Sequence, residues 1–215
     1  MISILMPIYN GIEFINESLD SIKKQTYKEW ELIIGVNGHE ENSEVFKKAK
    51  SYESDKIHVY DLHEYKGKSK TLNHMLTLCK YNWISLLDVD DVWHSEKLEK
   101  QVPLMDVFDI IGTNCQYFGD SQVIPYLPLG IITDFDFTKV NPIINSSCLV
   151  KKELCCWDNN YDGVEDYDMW LRLRKENKKF YNLVEILVFH RIHQASAFNS
   201  KGNNNMVNDL LKKHS

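Results

Sequence analysis

The chain has 215 residues, 43% hydrophobic and 26% charged, which suffices for one large domain with a packed core and excludes a disordered polypeptide. Its formal net charge of −6 excludes a general nucleic-acid binder, whose electrostatic footprint is basic. No run reaches the about 18–20 uninterrupted apolar residues of a membrane helix; the nearest, residues 123–132, is broken by Pro125 and Pro128.

Residues 3–9 (SILMPIY) read as a strand closed by the turn signal Asn10-Gly11. The preceding residues carry no basic region, so no signal peptide is expected. Ile12, Ile15, Leu19 and Ile22 then recur at helical spacing. A second buried strand, residues 31–36 (ELIIGV), ends at Asn37-Gly38, and a polar helix follows over residues 43–49. Residues 57–62 read as a third strand, residues 68–79 as a helix with Leu72, Leu76 and Cys79 on one stripe, and residues 83–87 (WISLL) as a fourth strand running into Asp88-Val89-Asp90-Asp91. Such alternation predicts a mostly parallel sheet flanked by helices, with ligands at the carboxyl ends of the strands.

After about residue 105 the pattern changes. Strands are expected at residues 109–117 and 146–150, separated by a Pro-, Gly- and Ile-rich connection. A helix is expected at 167–177, two strands at 180–184 and 186–193, and an amphipathic segment at 206–211 after the tract Asn203-Asn204-Asn205. With no repeat and no linker, the reading is one α/β domain, its nucleotide-binding half about 1–105 and a mixed acceptor-side half about 106–215. The five cysteines contain no C-x-x-C pair and are read as reduced thiols of a cytoplasmic protein.

Three motifs carry chemistry. Alternation puts Asp88 and Asp90 on one side of a strand end, where hard carboxylate oxygens suit Mg²⁺ or Mn²⁺ completed by substrate phosphates. The bland alternative is a polar turn capping a helix that starts near His94. Glu165 and Asp166 open the 167–177 helix; either is a candidate general base, and either is equally a partner for the helix dipole. In His190-Arg191-Ile192-His193, strand alternation separates the two histidines and puts Arg191 and His193 on one face, toward a diphosphate, or else the strand is simply polar on its surface.

Taken in order, these segments resemble the family 2 glycosyltransferases of the GT-A fold. The resemblance rests on SILMPIYN at residue 3, Leu19-Asp20-Ser21-Ile22, Gln25-Thr26-Tyr27, Trp30-Glu31-Leu32-Ile33-Ile34, Leu87-Asp88-Val89-Asp90-Asp91, EDYDMWLR at 165–172 and RIHQAS at 191–196, nearly the whole chain. It implies an inverting, metal-dependent transfer of sugar from a nucleotide-sugar, most commonly a UDP-sugar, to a hydroxyl acceptor such as a glycan. Pro7, Tyr9 and Asn10 would line the nucleotide pocket. Asp88 would hold ribose or the metal shell, and Asp90 the Mn²⁺ or Mg²⁺. Asp166 would be the base with Glu165 beside it; Arg191 and His193 would meet the diphosphate, His193 also the metal. The sequence departs from the family's pattern twice. Asn37 stands where the family has an acidic pair, and Leu72-Asn73 replaces its Arg-Asn pair, with Lys68 and Lys70 as substitutes nearby. Two competing functions are a sugar nucleotidyltransferase, which would need a Gly-rich basic loop that residues 1–11 lack, and a non-catalytic nucleotide-sugar binder, against which Asp88, Asp90 and Asp166 together argue.

Overall fold

The computed structural model describes residues 1–194 and 203–214. Its first half is the expected alternation: β1 (Ile2–Ile8), α1 (Ile15–Lys23), β2 (Trp30–Asn37), α2 (Glu44–Lys50), β3 (Ile57–Leu62), α3 (Lys68–Leu78) and β4 (Trp83–Leu86). Every residue of β1 and β2 is buried, as strands covered on both faces must be. Ile4, Met6, Leu32 and Ile34 pack with Ile15, Leu19 and Ile22 of α1 on one face, while Leu5 and Ile33 pack with Leu72 and Met75 of α3 on the other.

The second half comprises β5 (Val92–Trp93), α4 (Lys97–Gln101), β6 (Ile110–Gly119), β7 (Gly130–Ile132), β8 (Leu149–Lys151), α5 (Glu165–Lys175), β9 (Phe180–Ile192) and α6 (Asn203–His214). All strands join one sheet in the order β3-β2-β1-β4-β8-β6-β9-β5, with β7 on β9. The β1–β4 portion is parallel; β8 then enters antiparallel between β4 and β6, and β6 pairs parallel with β9. The result is the α/β arrangement expected of the sequence, a parallel sheet in the first half continued by a mixed one in the second.

Several elements differ from expectation; the strand expected at 146–150 is β8, at Leu149–Lys151, with a 3₁₀ turn at Asn145–Ser147 before it. The two strands expected at 180–193 are one strand, β9, whose pairing with β6 skips Val184, Glu185 and Leu187; this irregularity interrupts the alternation that marks a continuous strand. β5 and β7 are too short, at two and three residues, to leave a period. The helix expected at 167–177 begins at Glu165, so both candidate bases lie in its first turn.

α4 places a lysine in the core. Lys97 is fully buried; its Nζ donates to Ser85 Oγ (3.2 Å) and Gln101 Oε1 (2.8 Å) and lies 4.0 Å from the Trp93 ring centroid. Burial pulls its pKa down to about 7, whereas an unfolded lysine titrates near ~10.4. Between these values the unfolded state binds more protons, so the penalty is full below pH 7 and fades as pH rises toward about 10. Lys97→Met is therefore expected to raise the thermal midpoint near pH 6, with a gain that shrinks toward pH 10. A loss of stability near pH 6 would mean that the two hydrogen bonds and the indole outweigh the desolvation.

Candidate active site

A cavity of about 1300 Å³ opens at the carboxyl ends of β1, β2 and β4. Pro7 near the end of β1 and Tyr9 and Asn10 just after it line the cavity, as do Asn37 at the end of β2, Gly38 after it, and Asp88 and Asp90 after β4. Gly38 has φ +73, and a Cβ there would sit 2.8 Å from the Tyr9 ring, so the β2 turn can pass Tyr9 only as glycine. The Tyr9 ring is half exposed and packs at 5.4 Å from His39.

The Asp88–Asp91 loop is fixed by its last member. Asp91 is fully buried and accepts from Ser146 Oγ (2.5 Å), the Arg191 backbone N–H (2.9 Å) and His190 Nδ1 (3.0 Å). Ser18 Oγ of α1 lies 2.6 Å from both the Val89 and Asp91 carbonyls. None of these acids caps α4, which has no side-chain cap bond. Held this way, the loop presents Asp88 and Asp90 to the cavity and keeps Asp91 behind them.

Each carboxylate has a different environment. Asp88 accepts from Lys68 Nζ (2.8 Å) and Asn145 Nδ2 (3.1 Å). Burial works against its ionisation, but the Lys68 charge and these bonds hold its pKa below the usual value. Asp90 meets His193 Nε2 at 3.0 Å, and burial together with the charges of Asp91 and Asp88 pushes its pKa up. That crowding of negative charge invites a cation. Among the described residues no cluster of three His, Cys, Asp or Glu could hold a metal by itself. The Asp90–His193 pair nonetheless fits Mn²⁺ or Mg²⁺, because such ions take only one or two carboxylates when substrate phosphates complete the shell.

Lys68, not Lys70, enters the cavity; Lys70 is exposed outside its lining. Gly67, at φ +95, lets the chain pass Asp162, whose Oδ1 accepts the Ser69 N–H at 2.7 Å and ties the start of α3 to the turn before α5. Lys68 thereby reaches Glu165 Oε1 (3.3 Å) as well as Asp88, and their charges outweigh burial to keep its pKa well above the usual value.

Both candidate bases line the cavity. Glu165 is nearly buried and is held by Lys68 and by the Gly163 N–H at 2.6 Å. Asp166 accepts from Asn141 Nδ2 (3.0 Å) and the Tyr167 N–H (2.7 Å). Burial, followed by the Glu165 charge, raises its pKa to about 6. Asp168, further along the motif, is fully buried and binds Arg172, Lys213 and His214, clasping α6 to α5.

The last motif is arranged differently from its alternation. His190 and His193 both line the cavity, whereas Arg191 does not. β9 ends at Ile192, so His193 is free of the pleat. Arg191 lies between the rings of Phe14 and Phe118, 4.3 Å from each centroid, and bonds the Asp90 carbonyl (2.9 Å) and Glu17 (2.7 Å). It is a strut for the acidic loop, and His190, whose pKa Asp91 raises to about 9 against the effect of burial, takes the cavity position. Ala195 and Ser196 of the motif lie outside the described residues. Sequence reasoning missed Asn141 and Asn145, which sit in the irregular 133–148 connection with no period to mark them.

A family model described as "Glycosyl transferase family 2" matches residues 3–201. The chain is 32% identical over 213 residues to the O-antigen biosynthesis glycosyltransferase WbnJ of Escherichia coli, covering 91% of this chain and 81% of that one. Its fold is shared with TarS of S. aureus in complex with UDP-GlcNAc (TM-score 0.77, 14% identity, 99% of this chain and 66% of that one). It is also shared with the mannosyltransferase PcManGT of Pyrobaculum calidifontis in complex with GDP-Man and Mn²⁺ (TM-score 0.71, 14% identity, 99% and 62%). Strand-end acids, the cavity they face and a match over nearly the whole chain agree: this protein belongs to glycosyl transferase family 2 and is a glycosyltransferase of the GT-A fold.

Proposed function

We propose that the cavity binds a UDP-sugar with Mn²⁺ or Mg²⁺ and transfers the sugar, with inversion, to an acceptor hydroxyl deprotonated by Asp166. The observation that carries this reading is one cavity lined by a strand-end Asp90–His193 pair and by a buried carboxylate whose pKa is about 6. TarS and PcManGT, of the same fold, were solved with UDP-GlcNAc and with GDP-Man plus Mn²⁺.

Pro7, Tyr9, Asn10 and Asn37 hold the nucleoside, and Asp88, fixed by Lys68 and Asn145, faces the ribose. When bound, a divalent cation at Asp90 and His193 supplies charge neutralisation for the departing diphosphate. Lys68 adds a fixed positive charge on the same side. Asp166 accepts the acceptor's proton as its oxygen bonds to the anomeric carbon and the carbon–diphosphate bond breaks, the electron pair leaving with the diphosphate. Asn141 and the Tyr167 N–H hold the carboxylate in place for that transfer. Glu165, tied to Lys68, keeps Asp166 basic through its charge.

A donor screen for nucleotide release with Mn²⁺ tests the reading; release from one UDP-sugar in preference to GDP-sugars is expected, and release from none would overturn it. Tyr9 gives a second check. Its exposed ring faces the cavity beside Gly38, so Tyr9→Ala is expected to weaken UDP binding by about 1–3 kcal/mol, the range for a lost base–aromatic stack. Unchanged affinity by calorimetry would place the base elsewhere.

A further inference from the structure

Among the described residues Lys97 is the only fully buried lysine, and its Nζ contacts are neutral: Ser85, Gln101 and the Trp93 ring. A lysine is almost never sealed away without a charge partner, because desolvating the ammonium is costly. Neither Lys97 nor these three side chains line the active-site cavity. The three nonetheless act on one segment. Trp93 Nε1 donates to the Ser146 carbonyl (2.7 Å), Gln101 Nε2 to the Ser147 carbonyl (2.8 Å) and Ser85 Oγ to the Cys148 carbonyl (2.7 Å). Three successive carbonyls are each held by a side chain that contacts the Lys97 ammonium.

The start of that segment fastens the acidic loop. Ser146 Oγ accepts the Asp88 N–H (3.1 Å) and donates to Asp91 Oδ2, and Asn145 Nδ2 donates to Asp88 Oδ2 (3.1 Å). Ser85 lies in β4, which leads into the loop, Trp93 in β5, which leads out of it, and Gln101 ends α4. One ammonium therefore ties both flanks of the loop to the segment that holds it.

A lysine can do this where an apolar side chain cannot, because its ammonium only donates. By donating to Ser85 Oγ it leaves that hydroxyl's proton for the Cys148 carbonyl. By donating to Gln101 Oε1 it fixes which way the amide faces, so that Nε2 meets the Ile111 and Ser147 carbonyls. Without the ammonium the hydroxyl is free to rotate and the amide to flip, and a flipped amide sets oxygen against oxygen. The charge also lies over the Trp93 ring, an attraction that seats the indole with its N–H toward Ser146.

We propose that Lys97 is a positioning residue for the transfer: from the core it orients Ser85, Trp93 and Gln101, and through residues 146–148 it sets the loop that carries Asp88 and Asp90. The proposal rests on the functional reading above, in which those two acids meet the donor and the metal. It assigns the buried ammonium to the site and not to the fold. Removing the ammonium should then leave a protein that is more stable but binds its donor less well, the trade-off expected where a costly group serves function.

The test uses the full chain, UDP with Mn²⁺, and Lys97→Met. Near pH 6 this variant is expected to have the higher thermal midpoint, so weaker binding in it cannot come from a failing fold. Calorimetry should show UDP binding in Mn²⁺ weakened about tenfold, the scale on which outer-shell partners of a metal site act. Amide hydrogen exchange read by mass spectrometry should quicken in the peptides that carry Asp88 and Arg191, whose N–H groups bond Ser146 Oγ and Asp91 Oδ1, and stay unchanged in β1 to β3. Trp93→Phe keeps a ring beneath the ammonium and removes only the N–H to Ser146; it should quicken the same peptides, and it carries the test should Lys97→Met not fold. Wild-type exchange in those peptides would overturn the proposal. So would faster exchange with UDP affinity unchanged, which would confine Lys97 to the fold. Wild-type protein that binds no UDP, while the variants quicken exchange as expected, would support the hold of Lys97 on the loop and count against the nucleotide-sugar reading instead.

Discussion

Asp166→Asn is expected to lower kcat by about 10²–10⁴, some 3–5.5 kcal/mol of transition-state stabilisation, with donor affinity nearly unchanged. The substitution keeps the carboxylate's size and can keep a bond to Asn141 or to the Tyr167 N–H, but it removes basicity. In the proposed reading donor binding rests on the strand-end residues across the cavity, so KM for the donor should hold. The pH profile adds a sign. Burial and the Glu165 charge place the Asp166 pKa at about 6, well above an ordinary aspartate. Activity should therefore fall about tenfold per unit as pH drops below 6, and the residual activity of Asp166→Asn should lack that limb. Glu165→Gln should cost less, because Glu165 already holds Lys68 and the Gly163 N–H. If Glu165→Gln is dead and Asp166→Asn active, the roles are reversed; if both remain active, the base lies elsewhere.

Asp90→Ala is expected to abolish turnover, as is excess chelator. Asp90 pairs with His193 and is not what holds the acidic loop; Asp91 does that through Ser146, His190 and the Arg191 backbone. The fold should therefore survive the Asp90 change, with far-ultraviolet circular dichroism and thermal midpoint near those of the wild type. Asp91→Ala should instead destabilise the protein, because it leaves Ser146 Oγ and the Arg191 N–H buried without their acceptor. Full activity of Asp90→Ala, or full turnover in chelator, would refute metal dependence.

Much of this was legible in the sequence because parallel strands buried on both faces leave continuous apolar runs, and β1, β2 and β4 each end at or near a turn signal or an acidic motif. That these residues would share a face followed from topology alone: Pro7, Tyr9, Asn10, Asn37, Asp88 and Asp90 all line one cavity. What failed was side-chain direction. Lys68 and Lys70 lie about 200° apart around a helix, so only one can face the site, and the pin from Asp162 to the Ser69 N–H decides for Lys68. His190 and Arg191 exchanged their expected places because β9 stops at Ile192 and because Phe14 and Phe118 capture the guanidinium between their rings. Nothing in the sequence marked Lys97; its burial depends on tertiary packing against Trp93 and Ser85, which no local period encodes.

The most direct measurement is a calorimetric titration of UDP and of GDP into the wild type and Asp90→Ala, with Mn²⁺ and again in chelator. The account predicts one UDP site per chain that is preferred over GDP, needs Mn²⁺ and is lost in Asp90→Ala. UDP binding that is indifferent to both chelator and Asp90→Ala, or no nucleotide binding at all, would contradict it.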